Sequence, residues 1–221
     1  MCIRDSHVPC VVSDPDEAVL EKESVFGQTF SYKGEEFAIS LAGVYQKENA
    51  VLALNALEEL DRLGWTTTME QRKDGLLHTS WKGRFTVINK KPLFIVDGAH
   101  NAGAADKMAE SIRHYFNGKK LIYIMGVFAD KEYKIVLEKT AHFAEKIYTI
   151  ETPDNPRALP AEELAKAARV YNSSAESTKS IKDAVEKAFS CAGDDENSVI
   201  LAFGSLSFIG ALTDAVEEYV G

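Results

Sequence analysis

The residues best suited to chemistry stand where apolar runs stop abruptly. Phe94-Ile-Val-Asp97 ends in a carboxylate, and Gly98, His100 and Asn101 follow at once. A carboxylate there can accept hydrogen bonds from a ribose, and an imidazole can touch a phosphate or an acyl intermediate. The plainer alternative is an Asn that caps a helix beside a structural Asp. Just upstream, Trp81-Lys-Gly-Arg84 offers a guanidinium able to clamp a phosphate through two parallel hydrogen bonds, unless it is a solvated linker arginine. Ile122-Tyr-Ile-Met-Gly-Val-Phe-Ala-Asp-Lys131 again runs from apolar residues into glycine and ends on a cation. Thr152-Pro-Asp-Asn-Pro-Arg157 is a rigid turn that can hold Arg157 against a carboxylate. Phe203-Gly-Ser205 presents a hydroxyl and N–H groups at a helix start. Taken one at a time, each also fits an ordinary turn.

Other chemistries have no foothold in the sequence. It contains no Gly-x-x-x-x-Gly-Lys-Ser/Thr phosphate loop and no Gly-x-Gly-x-x-Gly dinucleotide fingerprint. A serine nucleophile elbow and a His/Cys metal cluster are also missing. Cys2, Cys10 and Cys191 are too scattered for a disulfide scaffold or a zinc site, which suits free thiols in a reducing compartment.

The elements that must position these residues follow from periodicity. Residues 8–12 read as a strand, and residues 28–32 and 36–41 as a hairpin turning at Lys33-Gly34. Val51, Leu52, Leu54, Leu57, Leu60 and Leu63 form the stripe of a helix over 49–63, with Gly64 placed to end it. A shorter helix is predicted over 68–77. After Trp81 strands and helices alternate. Strands are predicted at 85–88, 93–96, 121–125, 147–150 and 199–203, with a turn at 89–91. Helices are predicted at 102–116, 131–143, 161–171, 181–189 and 206–220. Such alternation calls for a Rossmann-like, doubly wound, mostly parallel α/β sheet. In such a sheet ligands bind beyond the carboxyl ends of the strands, where the runs quoted above fall.

Bulk properties narrow the partners. A formal charge of −9 over 221 residues argues against general affinity for nucleic acid or anionic membrane. An anionic small substrate remains compatible, because a few cations and N–H groups can hold it. No apolar run approaches the ~20 residues of a membrane span, and the N-terminus lacks a signal-peptide core, so a cytoplasmic location is expected. Residues 1–6 show no periodicity or capping logic and read as a foreign remnant joined to the middle of a gene.

Together the runs resemble the folylpolyglutamate synthase/dihydrofolate synthase family of the Mur ligase superfamily. The resemblance rests on Leu41-Ala-Gly-Val-Tyr-Gln-Lys-Glu-Asn49-Ala, Gly83-Arg84-Phe85, Asp97-Gly-Ala-His-Asn101 and Met125-Gly-Val-Phe-Ala-Asp-Lys131. Thr152-Pro-Asp-Asn-Pro-Arg-Ala158 and Phe203-Gly-Ser-Leu206 complete it, in family order. Tyr45 departs from the family, which usually has His before the Gln.

The resemblance implies residues 81–221 as the Mur ligase C-terminal, glutamate ligase domain and 7–80 as a truncated remnant of the central ATPase domain. It implies ATP, with Mg²⁺ held by ligands upstream, and folate or folylpolyglutamate and L-glutamate as substrates of a monomeric enzyme. No metal ligand is expected in this segment. Asn49 would meet the adenine or ribose side of ATP, Arg84 the phosphates and Asp97 the ribose. His100 and Ser205 would lie near the γ-phosphate and incoming glutamate, with Lys131 on a loop facing the same cleft. His100 and Lys131 are the catalytic candidates, and Ser205 and Arg157 the glutamate-binding ones. The segment is expected to be inactive alone. The alternatives are a Mur ligase acting on a UDP-linked muropeptide, because Asp154-Asn-Pro-Arg157 resembles its diaminopimelate-reading motif, or a non-catalytic Rossmann-like binding domain.

Overall fold

Glycines and capping side chains set the element boundaries in a computed structural model that describes residues 10–221. The chain divides into two compact units, Met1–Ser80 and Trp81–Gly221. Residues 1–6 and the start of the strand predicted over 8–12 lie outside the described residues. Cys10 to Val12 form no strand, a correction to that expectation.

The first unit is an antiparallel meander with two helices. Strands β1 (Val19–Ser24), β2 (Gly27–Tyr32) and β3 (Glu35–Ile39) lie in that order. Lys33 and Gly34 both adopt positive φ, 50° and 83°, the conformation that a two-residue hairpin of matching twist requires. Alternation in β2 and β3 turns Phe30, Tyr32, Phe37 and Ile39 onto Ala50, Val51 and Leu54 of α1 (Gln46–Arg62). Helix α1 begins before the predicted start, and its buried face is Gln46, Ala50, Val51 and Leu54. Leu52, Leu60 and Leu63 of the predicted stripe are exposed. The sheet covers only one narrow face of the helix, so apolar type and burial part company there. Gly64 ends the helix as expected: Gly64 N donates to Asp61 O and Trp65 N to Leu60 O. Helix α2 (Met69–Leu77) starts on a reciprocal capping box between Thr68 and Gln71.

The second unit holds a six-stranded sheet, ordered β4 (Thr86–Lys90), β5 (Leu93–Asp97), β9 (Ser198–Phe203), β6 (Lys120–Met125), β7 (Ala144–Thr149), β8 (Ala175–Ser177). All neighbours are parallel except β4 and β5. Asn89 and Lys90 belong to β4, and the turn falls at Lys91-Pro92, later than predicted, because Asn89 Nδ2 donates to both their carbonyls. Strand β8 was not foreseen: Ala-Glu-Ser has no branched or aromatic residue to mark it.

Continuous apolar runs in β5, β6 and β9 reflect burial on both faces. One face carries Phe94, Ile122, Ile124 and Ile200 against α6 (Ile181–Ala192) and α7 (Ile209–Val220). The opposite face carries Tyr123 and Phe203, edge to face at 5.0 Å, and Tyr123 Oη donates to Thr140 O at the end of α4 (Tyr133–Thr140). Helices α3 (Ala102–Tyr115) and α5 (Ala161–Arg169) complete the covering layers. This is the mostly parallel α/β sheet that the alternation predicted.

Candidate functional site

The strands end in register. Asp97 of β5 pairs with Phe203 of β9, which pairs with Met125 of β6, which pairs with Thr149 of β7. The loops leaving them therefore emerge together at the carboxyl edge, with β9 inserted between β5 and β6. A change of strand order at such an edge opens a crevice. Here it is a cavity of about 280 Å³ lined by His100, Phe128, Lys131, Gly204, Ser205, Leu206 and Ser207.

The turn after β5 is held by its own acid. Asp97 is 5% exposed; Oδ1 accepts from Ala99 N at 2.7 Å and Oδ2 from Phe85 N at 2.9 Å. Burial pushes its carboxyl up to about 6, against the pull of those two N–H groups and the charges of Arg84 and His100. Gly98 N donates to Gly83 O at 2.7 Å, so the two loops are joined through backbone as well. His100 Nδ1 lies 2.7 Å from Gly98 O. A carbonyl only accepts, so Nδ1 carries the hydrogen and, in the neutral ring, Nε2 is left as an acceptor. Asn101 Oδ1 caps α3 by accepting from Ala104 N, and Glu132 Oε2 takes Ala102 N.

The turn after β9 depends on a missing side chain. Gly204 has φ 120°, and a Cβ on it would sit 2.5 Å from Gly126 O. That contact lets the β9 and β6 loops close on each other. Ser205 follows, buried, its Oγ 2.7 Å from Ser207 Oγ and accepting from Ser207 N. Leu206 leans into the space beside two other glycines; a Cβ on Gly98 would come within 2.5 Å of its Cδ2, and one on Gly83 within 2.7 Å.

The loops after β6 and β7 are stitched together. Ala129 N donates to Arg157 O, Leu159 N to Val127 O, and Phe128 and Ala158 form an antiparallel bridge. Arg157 meets a carboxylate as the turn suggested, but the carboxylate is Asp130: Nε and a terminal nitrogen contact its two oxygens at 3.2 and 2.5 Å. The hydrogen bond from Arg157 holds the Asp130 carboxyl below the usual range. The guanidinium also lies 4.8 Å from the centre of the Phe128 ring, whose residue lines the cavity.

The structure thus brings His100, Lys131 and Ser205 around one cavity. Arg84 is half-buried, its guanidinium makes no hydrogen bond or ion pair among the described residues, and it is tied to the His100 turn through its neighbours Gly83 and Phe85. Arg157 stands behind Phe128. Asn49 belongs to the other unit, exposed on the first turn of α1, where its Nδ2 donates to Gln46 Oε1 at 3.0 Å. Sequence reasoning named neither Phe128 and Leu206 as walls nor Asp130 as the partner of Arg157. The signal for both walls was an apolar residue just beyond a strand-ending glycine. Among the described residues no three His, Cys, Asp or Glu side chains converge as metal ligands, and no helix is long and apolar enough to cross a membrane.

Residues 83–206 match the family model described as Mur ligase, glutamate ligase domain. The chain is 29% identical over 202 residues to the dihydrofolate synthase/folylpolyglutamate synthase of Bacillus subtilis (strain 168), covering 88% of this chain and 46% of that relative. Its fold is similar to Mycobacterium tuberculosis folylpolyglutamate synthase complexed with ADP and AMPPCP, with a TM-score of 0.74, 23% identity and coverage of 92% of this chain and 48% of that one. It is similar also to a bifunctional folylpolyglutamate synthase/dihydrofolate synthase with Mn, AMPPNP and L-glutamate bound. There the TM-score is 0.67 and the identity 21%, over 91% of this chain and 46% of that one. The chain spans about half the length of these three relatives.

Proposed function

Because the chain belongs to the Mur ligase family, with its glutamate ligase domain at residues 83–206, we propose that it is the glutamate-adding part of an ATP-dependent folylpolyglutamate synthase. The observation that carries the reading is the cavity shared by His100, Lys131 and Ser205 at the carboxyl ends of β5, β6 and β9. The nucleotide, its analogues and L-glutamate named with the solved relatives support ATP and glutamate as substrates. The curated relative supports folate as the acceptor, and dihydropteroate belongs to the same proposal through its dihydrofolate synthase activity.

The reaction proceeds in two steps. An oxygen of the folate γ-carboxylate attacks the γ-phosphorus of ATP, the bond to the bridging oxygen breaks, and ADP leaves behind an acyl phosphate. The glutamate amine then attacks the acyl carbon, phosphate departs, and the nitrogen gives up a proton as the amide forms. Such transfer depends on position and charge neutralisation. In this reading Arg84 and Lys131 supply positive charge to the phosphates, and His100 Nε2 accepts a hydrogen bond from the incoming amine. Ser205 orients the glutamate, and Arg157 takes a glutamate carboxylate by exchanging it for Asp130. Asn49 serves the adenine or ribose side of ATP. Asp97 reaches a ribose hydroxyl only through lone pairs left over from Phe85 N and Ala99 N. Magnesium would add neutralisation at the phosphates, and the described residues gather no ligand set for it.

The experiment uses two samples, supplied with ATP, tetrahydrofolate and L-glutamate. One is the chain alone. The other is a chimera in which this segment replaces the matching part of the Bacillus subtilis relative. ADP release and product mass are read. The folded chimera is expected to add glutamate and the chain alone to add none, because its sequence has no phosphate loop. A folded but inactive chimera overturns the reading, and ligation by the chain alone overturns the inactivity.

A further inference from the structure

The Gly83–Phe85 turn holds a conformation that its own sequence disfavours. Phe85 has φ 47°, a left-handed conformation that is strained for a bulky L-residue and persists only where its surroundings enforce it. Two things enforce it here. Its ring is buried 5.7 Å from Tyr115 and 6.0 Å from Phe116, ring centre to ring centre, at the end of α3. Its N–H is aimed at Asp97 Oδ2, 2.9 Å away. The other oxygen of the same carboxylate holds Ala99 N, between Gly98 and His100. One side chain therefore fixes two turns: one carries Arg84, the other His100.

A backbone bond from Gly98 N to Gly83 O lies between the same two turns. A second tie from a side chain would be redundant if it only added stability, and a buried carboxylate is a costly way to make one. The cost is intelligible if the bond has to set direction. The backbone bonds here, Gly98 N to Gly83 O and Arg84 N to Trp81 O, hold the near side of Arg84 and leave Phe85 N untied. A bond at Phe85, on the far side of Arg84, fixes that residue from both ends.

We infer that Asp97 is a positioning residue that holds the Arg84 turn against the His100 turn, so that guanidinium and imidazole are presented in one fixed relation. The tie is a property of the unliganded chain. Only its consequence for phosphate binding rests on the nucleotide reading of Arg84.

The test is ¹H–¹⁵N NMR on the full chain, its Asp97→Asn variant and its Arg84→Ala variant, each titrated with sodium tripolyphosphate. Without ligand, Asp97→Asn is expected to lose backbone order at residues 83–85 and 98–100 together while β6 and β9 keep theirs. Unchanged order at both turns overturns the inference. With tripolyphosphate, Asp97→Asn is expected to bind about tenfold more weakly, as is Arg84→Ala. The sign discriminates, because removing a negative charge beside an anion site strengthens binding if charge alone acts. Equal or tighter binding by Asp97→Asn overturns the inference. If tripolyphosphate leaves the unaltered chain unmoved, the phosphate role of Arg84 fails instead, and order at the two turns still decides the tie. Should Asp97→Asn not fold, the unaltered chain decides by pH titration. The Phe85 and Ala99 amides must move with one midpoint, in the field of Arg84 and His100; two midpoints, or none, overturn it.

Discussion

The two units close their cores by different means. From Trp81 onward, β5, β6 and β9 are apolar on nearly every residue and lie between two helical layers, so each strand residue meets a partner whichever way it points. In the residues before Ser80, two strands, one helix face and Ala18 make a small core: Phe30 and Tyr32 of β2, Phe37 and Ile39 of β3, and Ala50, Val51 and Leu54 of α1. Strand β1 is exposed along almost its whole length, and Leu52, Leu60, Leu63 and Trp65 face solvent. Two layers bury one face of each element and leave the other to the composition of the sequence. Three layers leave the middle one no exposed face, which is why the larger unit can hold polar groups such as Asp97 dry and fixed at its edge.

The contrast is open to measurement by urea denaturation. Phe208→Ala removes a fully buried ring from the three-layer core and is expected to cost about 3–5 kcal/mol. A cost of the same size for Leu63→Ala, 76% exposed, would abolish the distinction.

Asp97 gives the next largest effect. Its carboxyl, ordinarily at 3.8, is pushed up to about 6 in the fold, so between those values the folded unit binds more protons than the unfolded chain. Stability therefore rises as pH falls through that window, by up to about 3 kcal/mol from this group, opposite to the usual carboxylate. Asp97→Asn should lose this contribution, so that its stability rises less, relative to the parent, as pH falls from about 6 to about 4; an identical pH dependence in the two proteins would refute it.

Helix caps should not distinguish the units, since capping is local. Asn101→Ala in α3 and Thr68→Ala in α2 are each expected to cost about 1 kcal/mol. A much larger loss at Asn101 would mean that the cap also supports the cavity. The smallest effect belongs to Leu63→Ser, expected within about 0.5 kcal/mol of the parent and so a control for the rest.

Legibility followed how local the cause was. Gly64, the Thr68–Gln71 box and the Lys33-Gly34 turn act within a few residues, and each boundary was readable from the sequence. The unbroken apolar run of β6 likewise announced a strand buried on both faces. The exposed leucines of α1 were misread because burial there depends on which side a sheet approaches, and periodicity does not say. At the cavity, the strand-ending motifs located the loops, since apolar runs must stop where the sheet does. What those loops do to one another was not legible. The Asp97–Phe85 bond spans two strands, and the Asp130–Arg157 pair joins turns after different strands. Only the register of the assembled sheet puts these partners together.

Leu206 carries a consequence for how this cavity can vary. Its side chain fills the volume that a methyl group on Gly98 or Gly83 would claim. Gly98 and Leu206 therefore form a linked pair in which the glycine grows only if the leucine gives way, whereas Gly83 is held to glycine by its φ of 82° and by Ile209 as well. Gly98→Ala should fail by itself and recover when paired with Leu206→Ala, a suppressor relationship that a genetic screen would find without reference to the fold. Because Leu206 also lines the cavity, every such suppressor remodels the cavity wall.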